Sequence, residues 1–160
     1  TPEMFEERVL ACCGSRAWAK RLQEARPFAT FDALLETSDD VWAGLSAEDR
    51  REAFAAHPRI GEGGGSAWAR SEQAGTAGSS AEILRALEAA NREYEERFEM
   101  VFLINATGRN AQEMLDAMRV RLDNDPATEL AEATEQQRQI TRLRLEKLVR
   151  PVAPLARTGG

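Results

Sequence analysis

The chain has 160 residues, of which 42% are hydrophobic and 30% charged, the balance of a globular domain able to bury its own core. A formal net charge of −6 argues against binding nucleic acid, which depends on clustered Lys and Arg, and no apolar run is long enough for a membrane span. One all-α domain over residues 1–160 is expected, with about seven to nine helices and a flexible tail over 151–160.

In chain order, Met4, Phe5 and Val9 start a first amphipathic helix, and Ala17, Trp18, Arg21 and Leu22 continue in a second. Between them, Cys12 and Cys13 are adjacent, so their Cα atoms are about 3.8 Å apart and too close for a disulfide. They read as small buried apolar residues on an early helix. Thr30 caps a third helix with Phe31, Leu34 and Leu35 inward. Ser46 and Asp49 stand at capping-box spacing before a helix that must stop ahead of Pro58. Residues 61–66 form a glycine-rich loop, and a second loop lies near Gly75 to Ser80. Ser79 and Glu82 open the next helix, with Leu84, Leu87, Asn91, Tyr94 and Phe98 on one stripe. Among apolar neighbours Asn91 requires a hydrogen-bond partner.

Val101–Ile104 is a short apolar run without a partner strand, so a buried helix or an extended connector is expected. Asn110 and Glu113 open a helix to about Asn124, and Asp125-Pro126 opens a long last helix that ends before Pro151. On a helical wheel with Ile140 at the origin, Arg144 falls at about 40°, between Ile140 and Leu148. Such an arginine needs an internal carboxylate or an anionic ligand. Arg142 falls at about 200° and is expected in solvent.

His57 is the one histidine, set where Pro58 ends a helix beside the glycine loop. A single imidazole excludes a multi-histidine metal site, and no metal is expected. Glu72 is a candidate to orient the ring and raise its proton affinity. The Ala106-Thr107-Gly108-Arg109-Asn110 stretch precedes a helix start, where backbone amides can hold an anion or a carbonyl. It is not a P-loop, and no nucleophile elbow, zinc-protease helix or dinucleotide fingerprint occurs.

The series is more specific than its parts. His57-Pro58-Arg59-Ile60-Gly61-Glu62 is followed by Trp68 through Glu72-Gln73-Ala74-Gly75, Asn91-x-x-Tyr94-x-x-Arg97-Phe98 and Val101 through Arg109. Arg121-Leu122-x-Asn124 and Ile140-x-x-Leu143-Arg144-Leu145 complete it. In this order the segments resemble the 2-oxo-4-hydroxy-4-carboxy-5-ureidoimidazoline (OHCU) decarboxylase family, over nearly the whole chain. The resemblance implies an all-helical homodimer that works without a cofactor and converts its small ureidoimidazoline acid substrate to (S)-allantoin in urate breakdown. It implies His57 as proton donor and Glu72 as its catalytic partner, with Pro58, Gln73 and Arg144 binding substrate. Ile104, Ala106 and Gly108 are implied as further substrate contacts through their backbone. Two positions depart from the pattern: serine is expected where Ala69 stands and glycine where Glu99 stands. A bulky acid at position 99 is expected to alter the path into Val101–Ile104.

A helical interaction domain without activity would share the periodicity and charge, but would leave the inward Arg144 and the His57-Pro58 loop without a purpose. The same fold acting on a related ureido or imidazoline acid is separable only by assay. Thr1-Pro2-Glu3 begins no secretory leader and Thr158-Gly159-Gly160 is no peroxisomal address, so a cytoplasmic protein is expected.

Overall fold

Short polar side chains decide where the helices start. In the computed structural model, which describes residues 1–61, 68, 72–76 and 78–149, seven α-helices occur among the described residues. They are α1 (Pro2–Leu10), α2 (Arg16–Glu24), α3 (Phe31–Ala43), α4 (Ala47–Ala55), α5 (Ala81–Phe98), α6 (Ala111–Arg121) and α7 (Pro126–Val149). Thr1, Ser15, Thr30, Ser46 and Ser80 each accept the N–H three residues on. Each bond satisfies an amide that the helix leaves orphaned, worth about 1 kcal/mol. Asn110 and Glu113 form a reciprocal capping box, and Asp125 Oδ1 accepts Thr128 N–H at 2.8 Å ahead of α7.

Three boundaries differ from the sequence reading. The α5 cap is Ser80, one residue beyond the expected Ser79: Ser80 Oγ accepts Ile83 N–H at 3.2 Å, while Ser79 closes the preceding turn with its N–H on Thr76 O at 3.2 Å. Helix α6 ends at Arg121 and reaches Asn124 only as hydrogen-bonded turns. Cys12 and Cys13 are buried as expected, but in the turn after α1, where burial pushes both thiols up to about 12. The expected loop over 61–66, Gly61 apart, lies outside the described residues, as do Ala69 and the 151–160 tail.

Apolar residues collect into two cores. One takes Val9, Trp18, Leu22, Leu34, Trp42 and Phe54 from α1–α4 and Ala133, Ile140 and Leu145 from α7. The other joins α5 and α6 through Leu87, Tyr94, Met114 and Met118. Between them runs residues 101–106, which is the extended connector of the two alternatives. Its side chains alternate: Phe102, Ile104 and Ala106 enter the α5–α6 core and Leu103 enters the other. Without a partner strand, its backbone is met by side chains. Arg121 Nη1 donates to Leu103 O at 2.6 Å, and Asn105 N–H donates to Gln136 Oε1 at 2.7 Å.

Glu99 ends α5 in the left-handed conformation, with φ 54° and ψ 34°, and its N–H donates to Glu95 O. A left-handed cap is a position that glycine adopts most cheaply, so the glycine expected there has a local reason. The chain keeps the left-handed turn with an acid in its place.

Candidate active site

The seam between the two cores is where the candidate residues collect. His57 follows the last turn of α4, with its N–H on Phe54 O at 3.2 Å. The segment after it is fixed from α5. Asn91 Nδ2 donates to Ile60 O at 3.0 Å, which supplies a partner for its amide nitrogen, though its buried Oδ1 has none among the described residues. Arg59 pairs with Glu95 through two bonds of 2.6 and 3.0 Å. Gly61, at φ +90°, gives its N–H to Gln73 Oε1 at 3.1 Å. This bond ties the His57 segment to the short 3-10 turn Ala74–Thr76.

His57, Pro58, Ile60, Glu72, Gln73, Phe102, Leu103, Ile104, Ala106 and Ile140 line a cavity of about 20 Å³, room for a water-sized group. Glu72 also lines an adjoining cleft of about 530 Å³ with Gly75 and Thr107–Asn110. The turn and the loop meet closely: a Cβ on Gly75 would lie 1.9 Å from Arg109 O, so only glycine fits without displacing backbone.

Of the eight residues singled out in the sequence, His57, Pro58, Glu72, Gln73, Ile104 and Ala106 border the inner cavity. Gly108 borders the outer cleft. Arg144 borders neither among the described residues and reaches the site through Glu72, by parallel bonds of 2.9 Å from Nε and Nη2. A third N–H reaches Ala11 O at 3.3 Å. The pair is nearly dry, with side-chain exposures of 8% for Arg144 and 11% for Glu72.

This arrangement differs from the expected one, in which Glu72 holds the imidazole. Glu72 is engaged by Arg144, and His57 Nε2 instead lies 2.6 Å from Gln137 Oε1. Gln137 is fully buried on α7, and its Nε2 donates to Thr141 Oγ1 at 3.0 Å. Burial, reinforced by the Arg144 charge, lowers the His57 pKa to about 4, against the opposing pull of Gln137 and Glu72. The imidazole is therefore neutral at pH 7. Arg142, expected in solvent, pairs with Asp39 at 2.9 Å.

The signal for Gln137 lies one turn before Ile140, ahead of the turns that reveal Arg144. Carried back, the wheel puts Gln137 at about 60° and Glu129 at about 340°, both on the buried face. The described residues hold no group of three or more His, Cys, Asp or Glu that could hold a metal ion. No described helix is long and apolar enough to cross a membrane.

A model of the OHCU decarboxylase family matches residues 1–146. The chain belongs to that family. It is 37% identical over 155 residues to the uric acid degradation bifunctional protein TTL of Arabidopsis thaliana, covering 91% of this chain and 48% of the relative. It is 24% identical over 135 residues to a uric acid degradation bifunctional protein of Bacillus sp. (strain TB-90), covering 82% and 27%. The chain thus spans half or less of these two relatives. A crystal structure of OHCU decarboxylase in the presence of (S)-allantoin superposes with a TM-score of 0.81 at 37% identity, over 89% of this chain and 96% of that one. A structure of (S)-allantoin synthase shares the fold, with a TM-score of 0.73 at 16% identity over 92% and 50%.

Family-pattern residues that had no assigned part also find one. Tyr94, Arg121 and Asn124 all bond to the carboxylate of Glu129, and Arg97 Nη2 donates to Asn124 O at 2.8 Å. In this OHCU decarboxylase family member, part of the pattern serves the frame that holds residues 101–106 against the cavity.

Proposed function

We propose that this chain decarboxylates OHCU to (S)-allantoin, with His57 as the group that handles the proton. The observation that carries the proposal is the convergence of His57, Glu72 and the Ile104–Ala106 segment on one cavity, in a member of this family. As CO₂ leaves, the electron pair of the broken C–C bond moves into the neighbouring ring imine and an enol forms. Its hydroxyl proton is then lost as the carbonyl forms, and a proton is added to one face of the adjacent carbon. The ring itself accepts the electrons, so the reaction calls for no cofactor. A proton delivered from one side fixes the handedness of the product.

Glu72 and Arg144 act as a unit in this reading. Among the described residues three of the five guanidinium N–H groups are engaged by Glu72 and Ala11 O, and Arg144 lines neither cavity. It therefore acts on the site through Glu72 and binds an anionic part of the substrate directly only if its side chain shifts. The substrate lies in the outer cleft, against Gly108 and its neighbours, with its reacting end turned toward the water-sized inner cavity. The family resemblance adds a homodimer, which sedimentation velocity tests, and the cytoplasmic location expected from the sequence is tested by fractionation.

The test supplies freshly generated OHCU and follows optically active allantoin by circular dichroism. The wild-type chain is expected to give rapid (S)-product, and His57→Ala only the slow racemic background. Rapid (S)-selective turnover by His57→Ala would remove His57 from the reaction.

A further inference from the structure

The hydrogen bond that His57 makes to α7 specifies more than the ring's position. Gln137 is fully buried, and its amide nitrogen is engaged by Thr141 Oγ1 one turn further along the same helix. The Thr141 hydroxyl hydrogen is directed to Cys13, so its oxygen accepts from the amide nitrogen, and the amide presents its oxygen to His57 Nε2 at 2.6 Å. An amide oxygen only accepts, so the hydrogen of the bond belongs to Nε2, and a neutral imidazole has only one N–H to give. We infer that Gln137 is a positioning residue that holds His57 as the Nε2–H tautomer, leaving Nδ1 as the nitrogen that takes and returns the proton in the proposed decarboxylation.

The inference rests on that reaction for its purpose, but the tautomer is a property of the free protein. It also assigns the task that sequence reading gave to Glu72, whose two oxygens are held by Arg144. Burial and the Arg144 charge keep the ring neutral at pH 7, so a single hydrogen is there to be placed. The charged groups acting on the ring are Arg144 and Glu72, and their opposition leaves the amide to settle which nitrogen is protonated.

The proton balance follows. When CO₂ departs, the imine nitrogen gains the electron pair and takes one proton from water. The enol O–H gives its proton to Nδ1, forming an imidazolium whose Nε2–H stays on Gln137. As the carbonyl forms, the Nδ1 proton passes to the adjacent ring carbon and the neutral imidazole returns. One proton is consumed and one CO₂ released, and His57 ends as it began.

His57 is the only histidine, so the two ring nitrogens of ¹⁵N-labelled protein can be read by NMR without residue assignment. At pH 7 the wild type is expected to show a protonated Nε2 and an unprotonated Nδ1. Gln137→Met should lose that preference and lower kcat by about 10–100-fold with little change in KM. Gln137→Glu, with the same shape and an acceptor toward the ring, should restore the Nε2–H signal and move the imidazole titration upward. Thr141→Val, which frees the amide nitrogen, gives a second route to a mixed tautomer should Gln137→Met fold poorly. A wild-type ring protonated at Nδ1 overturns the inference. So does a Gln137→Met enzyme with unchanged spectrum and kcat. The expected tautomer in a protein that forms no (S)-allantoin would instead overturn the catalytic half and, with it, the decarboxylase reading.

Discussion

Two buried polar clusters sit on α7, about three turns apart, and they are built on opposite plans. At its start, Glu129 is fully buried and receives Tyr94 Oη at 2.7 Å, Arg121 Nε at 2.7 Å and Asn124 Nδ2 at 3.0 Å. Arg121 also stacks over Phe102, with its guanidinium carbon 4.4 Å from the ring centre. Towards the other end, Gln137, itself held by Thr141, reaches His57 and Arg144 reaches Glu72, and that cluster opens on a cavity. The lesson is that a buried charge does not by itself mark a site of chemistry. The first cluster closes on itself and holds the connector through Leu103 O, whereas the second leaves a titratable nitrogen beside empty space.

Substitutions should separate the two plans. Glu129→Ala leaves the Arg121 charge and the Tyr94 hydroxyl buried without their acceptor, so we expect a loss of about 3–5 kcal/mol in urea unfolding. A loss below about 1 kcal/mol would mean that the first cluster is not the frame described. Glu72→Gln keeps the shape of the second cluster but removes its negative charge. It should cost about 2 kcal/mol of stability and lower kcat/KM by at least about 100-fold, and near-wild-type turnover would detach the ion pair from the chemistry.

A smaller effect distinguishes the clusters by pH. The folded state holds His57 at about 4, below the ordinary 6.5, so the unfolded chain binds the proton more readily between those values. Stability from this residue is complete above pH 6.5 and declines as pH falls toward 4. Relative to His57→Gln, the wild type should lose about 2 kcal/mol more between pH 7 and pH 5. Equal pH dependence in the two proteins would contradict the depressed pKa. The smallest change lies outside both clusters and has the opposite sign. Glu99→Gly relieves the left-handed cap of α5 and should raise stability by about 1 kcal/mol, where a decrease would show that the acid is favourable there.

Much of the frame was legible in the chain. Caps at Thr30, Ser46 and Asn110 rest on local hydrogen bonds that spacing along the sequence reveals, and Arg144 was found because helical periodicity fixes a direction. The partners were not legible. Nothing in the order of residues says that Glu72 meets Arg144 and leaves the imidazole to Gln137, because that choice depends on how α7 crosses the end of α4. Gln137 and Glu129 could have been found on the same wheel, since each places a polar group on an apolar face. The reading of 101–104 stayed open for a different reason: four apolar residues have no period, and only the two flanking cores impose one.

That connector also limits how the gene can vary. Surface loops ordinarily absorb insertions and deletions, but residues 101–106 hand alternate side chains to opposite cores. Removing a single residue would exchange the two sets, sending Leu103 toward the α5–α6 side and its neighbours the other way. Length changes here should therefore be purged as strictly as those within a helix.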